Sequence, residues 1–291
     1  MSRRPLCSVF ACLLVAAATA QDPRQDKPTR EYAWATGKVE VEGGYATIDL
    51  PDGWRYLQSK DARYVVEQEW GNPPDPSTLG LVVPPGDADW AIIVSYEDSG
   101  HVDDADATGL DYAALLADMQ ADAKESNAAR KKAGYPTVDL LGWAESPHYD
   151  GAAKKLYWAK KLQFAGSEQP TLNYDVRILA AGGVLVMSAV AGIRDLAAVG
   201  SGIKSLLPAT ALRQGHRYQD FSPGVHKVAA YGIGGLIAGK LLAKAGLFKL
   251  LLKPLLLVGA IAVAAAAKLL GRKKAAAASG RARSRESRRH A

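Results

Sequence analysis

The sequence predicts an α+β fold, an antiparallel sheet covered by helices, followed by a C-terminal membrane-surface helix and one transmembrane helix. Three observations carry this expectation. Four strand-like runs between Val138 and Val190 follow one another with no crossover helix of the kind a parallel pair needs. Two helical patterns, near 109–133 and 194–207, flank those strands, and the chain ends in an apolar run, Pro254 to Leu270, that enters a basic tail.

Residues 1–20 read as a signal peptide: Arg3 and Arg4, an apolar stretch from Val9 to Ala17, then the small cleavage-site residues Ala18-Thr19-Ala20. Both cysteines, Cys7 and Cys12, lie inside it. The processed chain therefore has no disulfide, thiolate metal site or cysteine nucleophile. Residues 21–30 are polar with two prolines and read as a flexible leader.

Residues 31–226 have the composition of a globular exported domain, long enough to bury a substantial core. Ala46 to Leu50 alternates and stops at Pro51-Asp52-Gly53, a strand and a turn. Ser59 is placed to cap a helix carrying Ala62, Val65, Val66 and Trp70 on one face, with Gly71 and the following prolines as its stop. Leu79–Val83 and Ala91–Tyr96 read as strands. Thr108 and Asp111 match a capping box for a helix from Gly109 to Ala133 whose inner stripe is Leu115, Leu116, Met119 and Ala123. Its last turn is basic, Arg130 to Lys132, as the helix dipole favours. Strands follow at 138–144, 155–164, 172–180 and 184–190. In the second of these Leu156, Trp158, Leu162 and Phe164 share a face interrupted only by Lys160. The last helix of the domain turns Leu196, Val199, Ile203 and Leu206 inward.

Residues 227–250 form an apolar, small-residue membrane-proximal helix in which Lys240, Lys244 and Lys249 are spaced to meet lipid phosphates. Gly235, Gly239 and Ala243 recur every fourth residue, which lets two helix backbones approach closely. That stripe serves either a homo-oligomer or packing on the chain's own domain or span. Pro254 to Leu270 rises only about 25 Å, short of a ~30 Å hydrocarbon core, so the span is drawn at 251–271. A hairpin of two spans would bury Lys240 and Lys244 at about 2.5–3.5 kcal/mol each. It would also turn the basic tail outward. The tail, 272–291, carries eight Lys/Arg against Glu286 alone. The positive-inside rule then makes this a single-pass membrane protein with its tail cytoplasmic and its acidic domain on the far side, the periplasmic side if the membrane is a bacterial inner membrane.

Charge is segregated along the chain. From Gln21 to His226 there are 20 Lys/Arg against 29 Asp/Glu, and from Lys227 onward 14 against one. The exported domain is acidic, so the overall +6 gives no support for nucleic-acid binding.

No motif calls for a cofactor. The five histidines are scattered with no HExxH pair, and there is no G-x-S-x-G, P-loop or G-x-G-x-x-G after a strand. Asp104, Asp106, Thr108 and Gly109 match the front half of a calcium loop, but position twelve is Leu115 rather than glutamate. The same carboxylates suit a helix N-terminus, and no metal is expected. Glu97, Asp98, Glu145 and Asp150, beside Trp90, Trp143, Tyr149 and Tyr157, are compatible with a carboxylate pair in a glycan cleft or with rim packing. Asn173, Asp175 and Arg177 share a strand face, either as an exposed polar row or as a groove floor, and with Tyr149 and Trp158 they are the candidate binding surface.

Several strings occur together: ATIDLPDGWRYL (46–57), WGNPPD (70–75), SYEDSGHVDDADATGLDY (95–112), GWAESPHYD (142–150), LYWAKKLQF (156–164), TLNYDVRIL (171–179) and KVAAYGIGGLIAGKLLAKAGL (227–247). Together they resemble the bacterial membrane-anchored family known as domain of unknown function 2167, over roughly Tyr32 to Leu270. The resemblance implies an exported domain with a C-terminal membrane anchor and brings no catalytic residues. The expected function is a binding or scaffolding module of the bacterial envelope, with membrane lipid and an envelope protein as partners. The alternative is a membrane-tethered hydrolase of cell-wall or glycan material that uses paired carboxylates.

Overall fold

The computed structural model describes residues 30–72 and 74–239. The expected signal peptide at 1–20, the expected span at 251–271, the basic tail, and Lys240, Ala243, Lys244 and Lys249 all lie outside these residues. The chain divides after Tyr32, and the described strands and helices all belong to the unit that begins at Ala33. Among the described residues no helix is long and apolar enough to cross a membrane.

Among the described residues ten strands form two antiparallel sheets. The large one is built from β3 (Arg55–Gln58), β4 (Thr78–Val83), β5 (Ala91–Glu97), β6 (Val138–Asp150), β7 (Lys155–Phe164), β8 (Thr171–Leu179) and β9 (Val184–Gly192), in the order β3-β4-β5-β9-β8-β7-β6. The small one joins β1 (Lys38–Glu40), β2 (Ala46–Asp49) and β10 (Thr210–Leu212), with β2 central. The α+β class and the antiparallel pairing agree with expectation, but the covering differs. One face of the large sheet packs on the small sheet and on helix α3 (Leu196–Ala209), through Val39, Ile48, Val199, Ile203 and Leu206. The other packs on α2 (Tyr112–Lys132) and α4 (Ile233–Ala238), through Met119, Ala123, Ile233 and Ile237.

Strand β7 has the limits its alternation predicts. Strand β6 runs six residues past Ala144, because the Gly142 and Pro147 that argue against a regular strand sit on a sheet edge. Three register shifts, between Leu140 and His148, absorb them there.

Two helix starts also differ. Ser59 opens α1 (Ser59–Arg63) as its first residue rather than its cap, and its hydroxyl bonds Glu42. The helix then widens into a π-helical segment, Tyr64–Glu69, ending with the Trp70 N–H on the Val65 carbonyl at 2.9 Å. Ala62, Val65, Val66 and Trp70 are buried, as their spacing requires. Helix α2 starts at Tyr112, not near 109. Its cap is Asp111, whose carboxylate accepts from the N–H groups of Ala113 and Ala114 at 2.9 and 3.0 Å, while Thr108 is extended backbone ahead of it. Asp111 reaches the free amides directly, so Thr108 has no capping role.

Helix α3 lies over an edge-to-face pair, Trp54 and Trp90, with centroids 6.0 Å apart. A Cβ on Gly202 would meet Trp90 at 2.6 Å and Trp54 at 3.2 Å, whereas one on Gly200 would meet only Tyr174, at 3.9 Å. Gly202→Ala should therefore destabilise the fold by about 1–3 kcal/mol through overpacking. Gly200→Ala should be neutral or stabilising by up to about 1 kcal/mol through helix propensity. Urea unfolding of the two variants reads both signs.

Candidate functional site

The polar row of β8 does not form a surface. Strand pairing sets Trp158 beside Asp175 and Lys160 beside Asn173 on β7 and β8, and Ser188 of β9 beside Asp175, all on the α2/α4 side of the sheet. Lys160, Asp175 and Arg177 are 2, 3 and 1 % exposed. The Lys160 ammonium lies 3.0 Å from Asp175 Oδ2, the Ser188 hydroxyl donates to Asp175 Oδ1 at 2.6 Å, and Arg177 Nη1 stands 3.5 Å from the same oxygen. Desolvation pushes the Asp175 pKa upward, but the charges of Lys160 and Arg177 and these hydrogen bonds hold it below the usual carboxylate range. The Arg177 guanidinium sits 5.3 Å from the Trp158 ring centroid and 3.9 Å from Glu97 at the rim. Among the described residues Trp158 Nε1, Asn173 Oδ1 and Arg177 Nε have no hydrogen-bond partner. The row is thus an ionic core. Tyr149, expected beside it, is engaged elsewhere.

Tyr149 belongs to a second cluster, built on the acidic loop after β5. Its hydroxyl donates to Asp104 Oδ2 at 2.6 Å, the same oxygen that meets the Lys154 ammonium at 2.6 Å, and the Tyr218 hydroxyl stands 3.1 Å from Asp104 Oδ1. Lys154 reaches that position from a left-handed backbone, φ 53°, which is costly for a side chain with a Cβ. Its carbonyl is fixed there by the Leu179 N–H at 2.9 Å. Desolvation raises the Asp104 pKa, but the three donors and the Lys154 charge outweigh it and leave the carboxyl below its ordinary value. Burial, and then the neighbouring carboxylate, push the Tyr218 hydroxyl up to about 12.

The other carboxylates of the HVDDADATG string are also committed. Asp103 accepts from the Ala105 N–H, and Asp106 accepts from the N–H groups of Ile233 and Gly234 at 2.8 and 3.1 Å, where α4 begins. These bonds replace the calcium-loop arrangement, and among the described residues no three His, Asp or Glu are grouped to hold a metal ion.

Backbone contacts extend the junction. The His101 N–H donates to Lys227 O at 2.7 Å and Ala229 N–H to His101 O at 2.8 Å, so His101 and Val228 form a parallel bridge. Gly100, at φ 89°, lies under this bridge, where a Cβ would come within 2.9 Å of three backbone atoms of residues 227–229. The His101 ring stacks on Phe221 at 4.1 Å and tilts against Tyr218 at 4.3 Å. The segment from Tyr218 to Gly239 is therefore a strap stapled across the loop after β5. Along it, Gly235 packs against Tyr231, and Gly239 adopts a left-handed conformation that ends α4 after six residues. The four-residue spacing of Gly235 and Gly239 thus does not run along one uninterrupted helix.

An open cleft of about 490 Å³ adjoins the junction, lined by Asp104, Thr108, Tyr112, Pro147, His148 and Tyr149 among others. It does not gather a carboxylate pair. Glu145 accepts from Tyr174 on the α3 side of the sheet, whereas Glu97 lies on the opposite face beside Arg177. Asp150 accepts two turn amides, from Ala152 and Ala153. The partners of Asp104 and Asp106 leave no local mark in the sequence, because Lys154, Tyr218 and Ile233 stand 50, 114 and 127 residues away from the carboxylates they bind.

Replacing the charged acceptor at the centre, Asp104→Asn, should cost about 2 kcal/mol of unfolding free energy at pH 7. The folded carboxyl titrates below its unfolded value of about 3.9. Its contribution is complete above that value and is lost as pH falls through the folded pKa. The stability gap between wild type and variant should accordingly close below about pH 4, in urea titrations repeated across pH. A gap unchanged down to pH 3 would show that the ionised carboxylate is not its source.

Several solved structures are similar at low identity. The solution structure of cyanobacterial PsbP (CyanoP) from Synechocystis sp. PCC 6803 aligns at 9 % identity and TM-score 0.37, covering 65 % of this chain and 97 % of that one. The Ran-binding protein Mog1p of Saccharomyces cerevisiae gives 14 % and 0.33, covering 65 and 100 %. LpqN of Mycobacterium tuberculosis, involved in cell envelope biogenesis, gives 16 % and 0.30, covering 62 and 91 %. Likenesses at this level say nothing of function. No curated protein matches the sequence. The family described as protein of unknown function DUF2167 does match, over residues 22–267, and the chain belongs to that family.

Proposed function

We propose that this protein is a tethered binding or scaffolding module of the bacterial envelope, an acidic domain presented in a fixed orientation by its C-terminal strap. The observation that carries the reading is the junction itself. His101, Asp104 and Asp106 spend their hydrogen bonds on Lys227, Ala229, Tyr218 and the start of α4, just ahead of the apolar C-terminal sequence. A domain joined to an anchor by a flexible linker has no need of such bonds. The hydrolase alternative loses support from the positions of Glu97, Glu145 and Asp150, which lie on opposite faces or in a turn.

Two measurements test the reading. Proteinase K added to intact spheroplasts should degrade the domain and leave a C-terminally tagged fragment protected. A domain that is digested only after lysis would overturn the proposed topology. Asp106→Ala should raise amide exchange at Ile233 and Gly234 about tenfold, the equivalent of ~1.4 kcal/mol, while leaving β8 and β9 protected. Unchanged exchange would mean that the strap is held by other contacts.

A further inference from the structure

The two most exposed large apolar side chains among the described residues are Val225 and Val228, 76 and 64 % exposed. Both belong to the strap, three residues apart, and their backbone is held with the side chains outward. Val225 and His226 donate their N–H groups to Ser222 O at 3.1 and 3.0 Å, and the Ser222 N–H donates to His226 Nδ1 at 3.0 Å. Gly224, at φ 86°, makes the turn, and Val228 is fixed by its bridge to His101. With the N–H groups of Ser222, Val225 and His226 satisfied internally, the turn enters a region of low polarity at a reduced cost.

Charge says which region that is. Up to Asp220 the processed chain is acidic, yet after Asp220 the sequence holds a single carboxylate side chain, Glu286, against 14 Lys/Arg. The acid-free stretch therefore begins at Phe221, on the folded domain, more than thirty residues before the apolar run at Pro254. Lys227, exposed between the two valines, adds a cation to the same tip. Two outward apolar side chains flanking an ammonium, on a rigid turn that leads into an apolar, basic C-terminus, match the interfacial zone of an anionic bilayer, where valine reaches below the headgroups and lysine meets their phosphates.

We infer that the Ser222–Val228 turn is a lipid-contact site, a second point of attachment that sets the acidic domain upright on the membrane that anchors it. This rests on the tethered reading proposed above. It assigns the strap a ligand, the headgroup layer of an anionic bilayer, independent of any protein the domain binds.

The test uses the full chain with Cys7 and Cys12 replaced by serine, so that Val225→Cys, Val228→Cys or Leu141→Cys gives a unique site for an NBD label. Leu141, 48 % exposed on β6, is the apolar control. Each labelled protein is reconstituted into vesicles of phosphatidylglycerol and phosphatidylcholine containing a spin label near the headgroups, and flotation is measured on the same sample. The expected result is blue-shifted emission at 225 and 228, with at least threefold stronger lipid quenching than at 141. Floating protein with equal quenching at all three sites would overturn the lipid contact while leaving the anchor standing. Protection at 225 and 228 from both the lipid quencher and aqueous iodide would also overturn it, in favour of a protein-covered turn. Protein that fails to float would overturn the tethered reading first, and this inference with it.

Discussion

A bond network between the loop after β5 and the strap holds the C-terminal segment against the domain and closes its second core. Two backbone hydrogen bonds, His101 N–H to Lys227 O and Ala229 N–H to His101 O, fix the register. Side chains on either side then lock it. Gly100 admits the strap because it lacks a Cβ, and Asp106 is held at the start of α4 because Gly232 is equally bare, a Cβ there falling 2.4 Å from its carboxylate. With the strap in place, Ile233, Leu236 and Ile237 close the core over Trp158 and Leu156. The C-terminal segment is therefore a structural part of the domain as far as Gly239, and removing it would open the second core.

Beneath that core lies an arrangement of a different kind. Burying Lys160, Asp175 and Arg177 together is costly, and a well-packed apolar replacement is commonly as stable as such a triad. What the triad supplies is registration. Lys160 and Asn173 are paired across β7 and β8, and Asp175 and Ser188 across β8 and β9. A slip of one residue in either pairing would turn the charges to the face packed by α3 and strand them among Met187 and Tyr174. Strand pairing in the middle of this seven-stranded sheet gains a unique alignment from those charges, which the buried apolar residues around them do not specify as sharply.

Much of this fold was legible in the sequence, and the rest was hidden for identifiable reasons. Strand β7 and helix α3 declare themselves through periodicity, since Leu156, Trp158, Leu162 and Phe164 repeat every second residue and Val199, Ile203 and Leu206 every third or fourth. Strand β6 was legible only from Val138 to Ala144, because an edge strand tolerates the proline and bulges that carry it on to Asp150 and a central one cannot. The common face of Asn173, Asp175 and Arg177 was readable, but periodicity names the residues that share a face without naming what covers it. Lys160, the break in an otherwise apolar stripe, was the one signal that this face is internal. Nothing local told that Asp104 and Asp106 bond Lys154, Tyr218 and Ile233, whereas the acid-rich loop and the Gly-rich strap were each conspicuous by themselves.

Those two conspicuous strings are bonded to each other, and the carboxylates of the loop are engaged in that contact. A carboxylate that must act on a substrate needs an open coordination side, and Asp104 has its oxygens taken by two tyrosines and a lysine. The aspartates of this loop bond the chain itself and fix the strap on the domain. Rigidity matters for a tethered module because it decides which face of the domain points away from the tether. The strap and α4 lie on the α2 side of the large sheet, so on the tethered reading proposed above the small sheet with α3 is the layer on the side away from the strap.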